Sequence, residues 1–127
     1  MKRPYIVCHM MTSVDGRIDC QMTEQLPGVE DYYSTLEELN LPTTVSGRVT
    51  AKLEMTLPGT FTANEKTPYG KEGFSKNTDA DGYEIIADTK GKLLCQDAAG
   101  MEKPYLILTS EQVSKEYLRY LDERHIS

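Results

Sequence analysis

The residues best suited to chemistry in this 127-residue chain lie where apolar runs break into small, polar, glycine-bearing sequence. The first such place is Tyr5-Ile6-Val7-Cys8-His9-Met10-Met11, which runs into Thr12-Ser13-Val14-Asp15-Gly16-Arg17-Ile18-Asp19. The second is Thr44-Val45-Ser46-Gly47-Arg48-Val49-Thr50. Each apolar run reads as a buried strand. In an open α/β sheet, ligands sit where strands end and loops begin. Glycine permits close backbone approach, and a following helix start offers free N–H groups to a phosphate. Two such ends in the first half of a chain point to a nucleotide cleft. At the second, Ser46, Gly47 and Thr50 would meet a phosphate with hydroxyls and N–H groups, and Arg48 would be the charged partner. The plain alternative is a glycine-bearing turn with a surface arginine. A third end, Asp88-Thr89-Lys90-Gly91-Lys92, offers a hydroxyl and two cations, but Asp, Lys and Gly are also ordinary turn formers.

These residues need elements to position them. Residues 4–11 read as a first buried strand, and residues 12–28 as a loop with breaks at Asp15-Gly16 and Pro27-Gly28. Residues 29–40 read as a helix with Val29, Tyr32, Tyr33, Leu36 and Leu39 on one stripe, ended by Asn40-Leu41-Pro42. Residues 43–47 form a short strand and 48–55 a short helix or turn. The stretch 57–82 is rich in Gly, Pro, Thr, Lys and Asp without periodicity; a loop of that length is usually functional or mobile. Residues 83–88 and 104–109 read as strands. Thr109, with Gln112 three residues on, has the pattern of a capping box for a helix over 110–124. That helix carries Val113, Tyr117, Tyr120 and Leu121 on one face. Strands alternating with helices predict an α/β fold with a mostly parallel sheet.

Composition narrows the function. A hydrophobic fraction of 39% and a length of 127 residues fit one core. The net charge of −6 argues against a general nucleic-acid binder, which needs a basic face. The tyrosines at helical spacing therefore read as packing rather than base-stacking platforms. No run approaches the ~20 apolar residues of a membrane span, and the N-terminus lacks the core of a signal peptide, so a cytoplasmic protein is expected. Cys8, Cys20 and Cys95 are odd in number and widely spaced, which fits reduced thiols rather than a disulfide framework. No Cys/His cluster has metal spacing, and no metal is expected. His9 and His125 have no evident partner in sequence.

Four segments, in order, resemble landmarks of the reductase domain of riboflavin biosynthesis, a member of the dihydrofolate-reductase-like superfamily. Ser13-Val14-Asp15-Gly16-Arg17-Ile18 is similar to that family's Ser-Leu-Asp-Gly-Arg/Lys-Ile, with Val14 in place of Leu. Ser46-Gly47-Arg48-Val49-Thr50 is similar to its Gly-Arg-x-Thr strand end. Ile85 to Leu93 resembles its strand followed by Asp-Ser/Thr-x-Gly-Arg/Lys-Leu. Leu106-Ile107-Leu108-Thr109-Ser110-Glu111 resembles the next strand-to-helix step. The resemblance spans nearly the whole chain but only the first part of the family. The family's later strands, its Gly-Gly-Gly turn over the cofactor and an acidic residue near the substrate have no counterpart here.

The resemblance implies a three-layer α/β/α fold. Residues 1–127 would be the first part of one reductase domain, with the C-terminal part missing. It implies an NADPH-dependent reductase similar to 5-amino-6-(5-phosphoribosylamino)uracil reductase, which reduces a ribosylaminopyrimidine phosphate. By resemblance Met11, Ser46, Gly47, Arg48, Thr50, Glu54, Asp88 and Thr89 would contact the cofactor, and Ser13 and Asp15 would lie near the substrate. Lys90 would add charge that favours NADPH over NADH. Each has a plainer reading: Met11 as core filler, Glu54 as a solvated helix carboxylate, Asp15-Gly16 as the turn that shapes its loop. Leu26-Pro27 followed by Glu30-Asp31 does not match the spacing at which folate-reducing relatives place an acid, so no catalytic acid is assigned. Hydride transfer needs no protein nucleophile, so the lack of a Ser/His/Asp or Cys/His arrangement does not count against a reductase. The partners expected are a small-molecule substrate, no nucleic acid and no membrane. A half-domain would expose apolar surface, so a homodimer or association with the missing half is expected. The second hypothesis is a non-catalytic nucleotide-binding or assembly module.

Overall fold

The computed structural model describes residues 2–127. The chain divides into two compact units, Met1–Leu41 and Pro42–Ser127.

The first unit holds α1 (Cys20–Thr23) and α2 (Val29–Leu39) and no strand among its described residues. The strand expected over 4–11 is absent. Tyr5 is 89% and Ile6 81% exposed, and among the described residues the run has strand-forming composition but no ladder partner. A lone extended segment is not stable by itself. The single helical turn α1, inside the expected loop, is too short to carry a periodic signal. Gly28 caps α2 in the left-handed region at φ 90°, and Asn40 ends it at φ 44° with its N–H bonded to the Glu37 carbonyl. The expected apolar stripe is present in sequence, yet no residue of α2 is buried. Tyr32 stacks on His9 with ring centroids 4.5 Å apart, and His9 Nε2 lies 3.0 Å from the Tyr32 carbonyl.

The second unit is built on β1 (Thr44–Gly47), α3 (Arg48–Glu54), β2 (Glu84–Ala87), β3 (Tyr105–Leu108) and α4 (Lys115–Glu123). The strands form one all-parallel sheet in the order β1-β2-β3. The register aligns Thr44, Glu84 and Tyr105 at one end and Gly47, Ala87 and Leu108 at the other. Side chains alternate between faces. Ile86, Tyr105 and Ile107 point to the covered face, where they form the core with Ala51 of α3, Leu93, Cys95, Val113, and Tyr117 and Leu121 of α4. The opposite face carries Val45, Ile85, Ala87, Leu106 and Leu108. Val45 remains 72% and Leu108 53% exposed. The buried strand expected at 43–47 is therefore an edge strand with one face open.

Helix α4 starts later than expected. Ser114, not Thr109, is the N-cap, and its hydroxyl accepts from the Tyr117 N–H at 3.1 Å. The long stretch 57–82 contains no named element but is bonded to the rest of the unit. Phe61 N–H donates to the Lys92 carbonyl, Tyr69 N–H to Val113 and Gly70 N–H to Glu111. Asn77 Nδ2 reaches both Asp122 Oδ1 and the Ile126 carbonyl at 2.7 Å. Among the described residues no helix is long and apolar enough to cross a membrane.

Candidate functional site

Parallel pairing puts the carboxyl ends of all three strands on one edge of the second unit. Three short segments leave that edge: Gly47-Arg48, Asp88 to Lys92, and Thr109-Ser110. Gly47 is the hinge between β1 and α3, in an extended conformation at φ −82°. A Cβ built there would meet nothing within 4 Å, so the space over this glycine is open. Arg48 is the first residue of α3, is exposed, and holds no ion pair among the described residues. Ser46 and Thr50 are half-buried.

The segment after β2 is a turn shaped by its own buried acid. Asp88 is fully buried. Its Oδ2 accepts from the Lys92 N–H at 2.8 Å, the Leu93 N–H at 2.9 Å and the Tyr117 hydroxyl at 2.7 Å. Its Oδ1 is buried without a partner. Burial of an acid costs several kcal/mol unless hydrogen bonds replace water, which is what the three donors to Oδ2 provide. Burial, and then the negative charge of Asp88, push the Tyr117 hydroxyl pKa well above its ordinary value. The same two causes raise the Cys95 thiol to about 12. Gly91 completes the turn at φ 61°, pressed so close to α4 that an added Cβ would lie 2.6 Å from Tyr117 Cδ1 and Val113 Cγ2.

The outer side of this turn is polar. Thr89, Lys90 and Lys92 are exposed. The Thr89 carbonyl accepts from the Ser110 hydroxyl at 2.9 Å, and the Asp88 carbonyl from the Thr109 hydroxyl at 2.9 Å. The ends of β2 and β3 are thereby tied together, leaving a hydroxyl and cations outermost.

Besides the half-buried Ser46 and Thr50, the expected site residues fall into three groups. Gly47, Arg48, Asp88 and Thr89 are brought together on adjacent strand ends, the Asp88 carboxylate facing inward. Glu54 lies at the far end of α3, about 9 Å along the helix axis from Arg48 at 1.5 Å per residue. Met11, Ser13 and Asp15 belong to the first unit. There Ser13 and Asp15 shape a tight turn: the Ser13 hydroxyl donates to Asp15, Arg17 Nε pairs with Asp15 Oδ2 at 3.2 Å, and Gly16 sits at φ 82°. Sequence reasoning missed Tyr117 as the partner of Asp88, which no local signal at a separation of 29 residues would reveal. It also missed Thr109 and Ser110 as the ties between strand ends, having read Thr109 as a helix cap.

The polar outer groups and the open space over Gly47 fit the phosphate-bearing part of a nucleotide. No family model, curated protein or solved structure matches this chain.

Proposed function

We propose that this chain is the nucleotide-binding part of an NADPH-dependent reductase similar to the riboflavin-pathway enzyme, with a dihydrofolate-reductase-like fold. Four sequence landmarks in family order support the reading. The observation that carries it is the alignment of Gly47-Arg48 beside the Asp88–Lys92 turn, at the edge of a parallel sheet where α/β proteins take ligands. In this reading Arg48 and Lys90 pair with cofactor phosphates, Thr89 bonds the ribose end, and the Gly47 backbone lies against the ligand. Asp88 acts as a positioning residue that fixes the turn from inside. NADPH, when bound, supplies the hydride for reduction of a pyrimidine-ribosyl substrate.

Thermal unfolding in NADPH and in NADH tests this. A ligand at ~100 times its dissociation constant adds ~2.7 kcal/mol of stability. Stabilisation by NADPH exceeding that by NADH, with the gap narrowed in Lys90→Gln, is the expected result. No stabilisation by 5 mM of either nucleotide, about the upper end of useful affinities, would reject the cofactor.

The second reading, a nucleotide-binding assembly module without catalysis, is favoured by the uncovered apolar sheet face around Val45 and Leu108. All-parallel sheets are ordinarily covered on both faces. NADPH binding without oxidation by any pyrimidine or pterin substrate would select it.

A further inference from the structure

The long stretch 57–82 holds one motif that the nucleotide reading leaves unused: Thr67-Pro68, the only Ser/Thr-Pro pair in the sequence. Residues 64–68 are all exposed and lie outside every helix and strand. A residue before proline is held extended, and the proline has no N–H to offer a ladder. Pro68 faces Ser114 in an isolated antiparallel bridge, and the Lys115 N–H donates to the Thr67 carbonyl at 3.1 Å. Thr67 is therefore opposite Lys115, at the spacing where cross-strand side chains meet. Both line a cavity of about 570 Å³ between this segment and α4. Arg119, one helical turn past Lys115, lines it too. Lys115 and Arg119 are exposed and hold no ion pair among the described residues. The Thr67 hydroxyl donates to Glu65 Oε1, and the Thr67 N–H donates to the same oxygen at 3.0 Å. Those two bonds, helped by the charge of Lys115, hold the Glu65 carboxyl below its ordinary value. The Lys115 ammonium is thus felt on the side where the Thr67 hydroxyl lies.

We propose that Thr67 is a phosphorylation site for a proline-directed protein kinase, and that Lys115 and Arg119 receive the phosphate. Such kinases take the acceptor in an extended conformation with proline directly after it, which is how Thr67-Pro68 stands. The Thr67 oxygen attacks the γ-phosphorus of ATP. A new O–P bond forms, the bond to ADP breaks, and the hydroxyl proton passes to the catalytic aspartate of the kinase. Releasing the hydroxyl from Glu65 costs little, because both side chains are exposed and water replaces the bond. The product carries about −1.5 to −2 charges and three strong acceptor oxygens. Lys115 lies directly across the bridge, and the Arg119 guanidinium takes two oxygens in its planar fork. Glu65 and Glu116 are the opposing charges on the two walls, and Glu116 Oε2 is already engaged by the Glu65 N–H at 2.8 Å. The phosphate thereby fastens the 57–82 stretch to the first turns of α4. None of these residues lies at the strand ends, so the inference is independent of the nucleotide reading.

The test treats the folded full chain with a proline-directed kinase and magnesium ATP, maps the product by peptide mass spectrometry, and titrates its phosphate by ³¹P NMR. One phosphoryl group on Thr67 is expected. Its second ionisation, near pH 6 when unpaired, should fall in the folded chain below its value in urea by at least about half a pH unit, roughly threefold in proton affinity. The double variant Lys115→Gln with Arg119→Gln, two surface changes, should accept phosphate equally well and return the ionisation to its value in urea. The proposal is overturned if Thr67 accepts no phosphate in the folded chain. It is overturned equally if the folded ionisation lies at or above the urea value, which would mean that Glu65 and Glu116 dominate, or if the double variant keeps the lowered value.

Discussion

Asp88 acts from inside the molecule. Its carboxylate gathers two backbone N–H groups and a tyrosine hydroxyl at 2.7–2.9 Å, and so fixes the turn whose outer side carries Thr89 and Lys90. Tyr117→Phe removes one donor to a buried charge without changing shape. It should cost about 1.5–3 kcal/mol, read from urea unfolding at pH 7. A cost below 0.5 kcal/mol, about the level of a neutral surface change, would mean the bond contributes nothing. Cys95 gives a pH signature. Its thiol is pushed up from 9.0 to about 12 in the folded state, first by burial and then by Asp88. Between those values the unfolded chain loses the proton first, so the folded form binds more protons and stability falls as pH rises. The slope is at most about 1.4 kcal/mol per pH unit for one group. The contribution is complete below pH 9.0 and lost toward pH 12. Tyr117, raised by the same causes, adds to the loss at the alkaline end. Cys95→Ala should flatten the wild-type slope between pH 9 and 11, measured by denaturant unfolding in that range.

Two glycines at strand-end turns have opposite reasons to be glycine. Gly91→Ala places a Cβ against Tyr117 and Val113 at a positive φ, so it should destabilise by more than about 2 kcal/mol. Gly47→Ala meets open space at an ordinary φ and should leave the fold as stable as before, or more so by up to about 1 kcal/mol. Comparing their unfolding midpoints checks both. Ser114→Ala, which removes the cap of α4, should cost about 1 kcal/mol. The elements around these turns were legible in sequence because each is local: β1, α3, β2 and β3 are short apolar or helical runs punctuated by Gly47, Gly91 and Pro104. The start of α4 was misread because Thr109-x-x-Gln112 and Ser114-x-x-Tyr117 both offer a capping hydroxyl, and tertiary bonds decide between them. Thr109 is occupied elsewhere, with its hydroxyl on the Asp88 carbonyl. The segment 4–11 was misread because strand composition does not supply a strand's neighbour. Of the candidate site, Gly47, Arg48 and Thr89 were legible as strand-end residues. The inward turn of Asp88 was not, since it depends on Tyr117, which comes from a different element.

The second unit presents an α/β layer with one sheet face covered and one open. Val45 and Leu108 are the exposed apolar side chains at its ends. Such a patch on an otherwise acidic chain predicts concentration-dependent association. Sedimentation velocity should detect it, and Val45→Lys with Leu108→Lys should abolish it without loss of fold, since both side chains already face water. Unchanged association in the double variant would move the contact elsewhere. The proposed dinucleotide site lies at the strand ends around Gly47. Isothermal titration of NADPH into wild type and Gly47→Ala tests it most directly, because that methyl group touches nothing in the protein and would touch only a ligand. Saturable binding to wild type is expected, weakened at least about tenfold in a variant of undiminished stability, a difference of about 1.4 kcal/mol. No saturable heat with wild type, or the same affinity in both proteins, would contradict it.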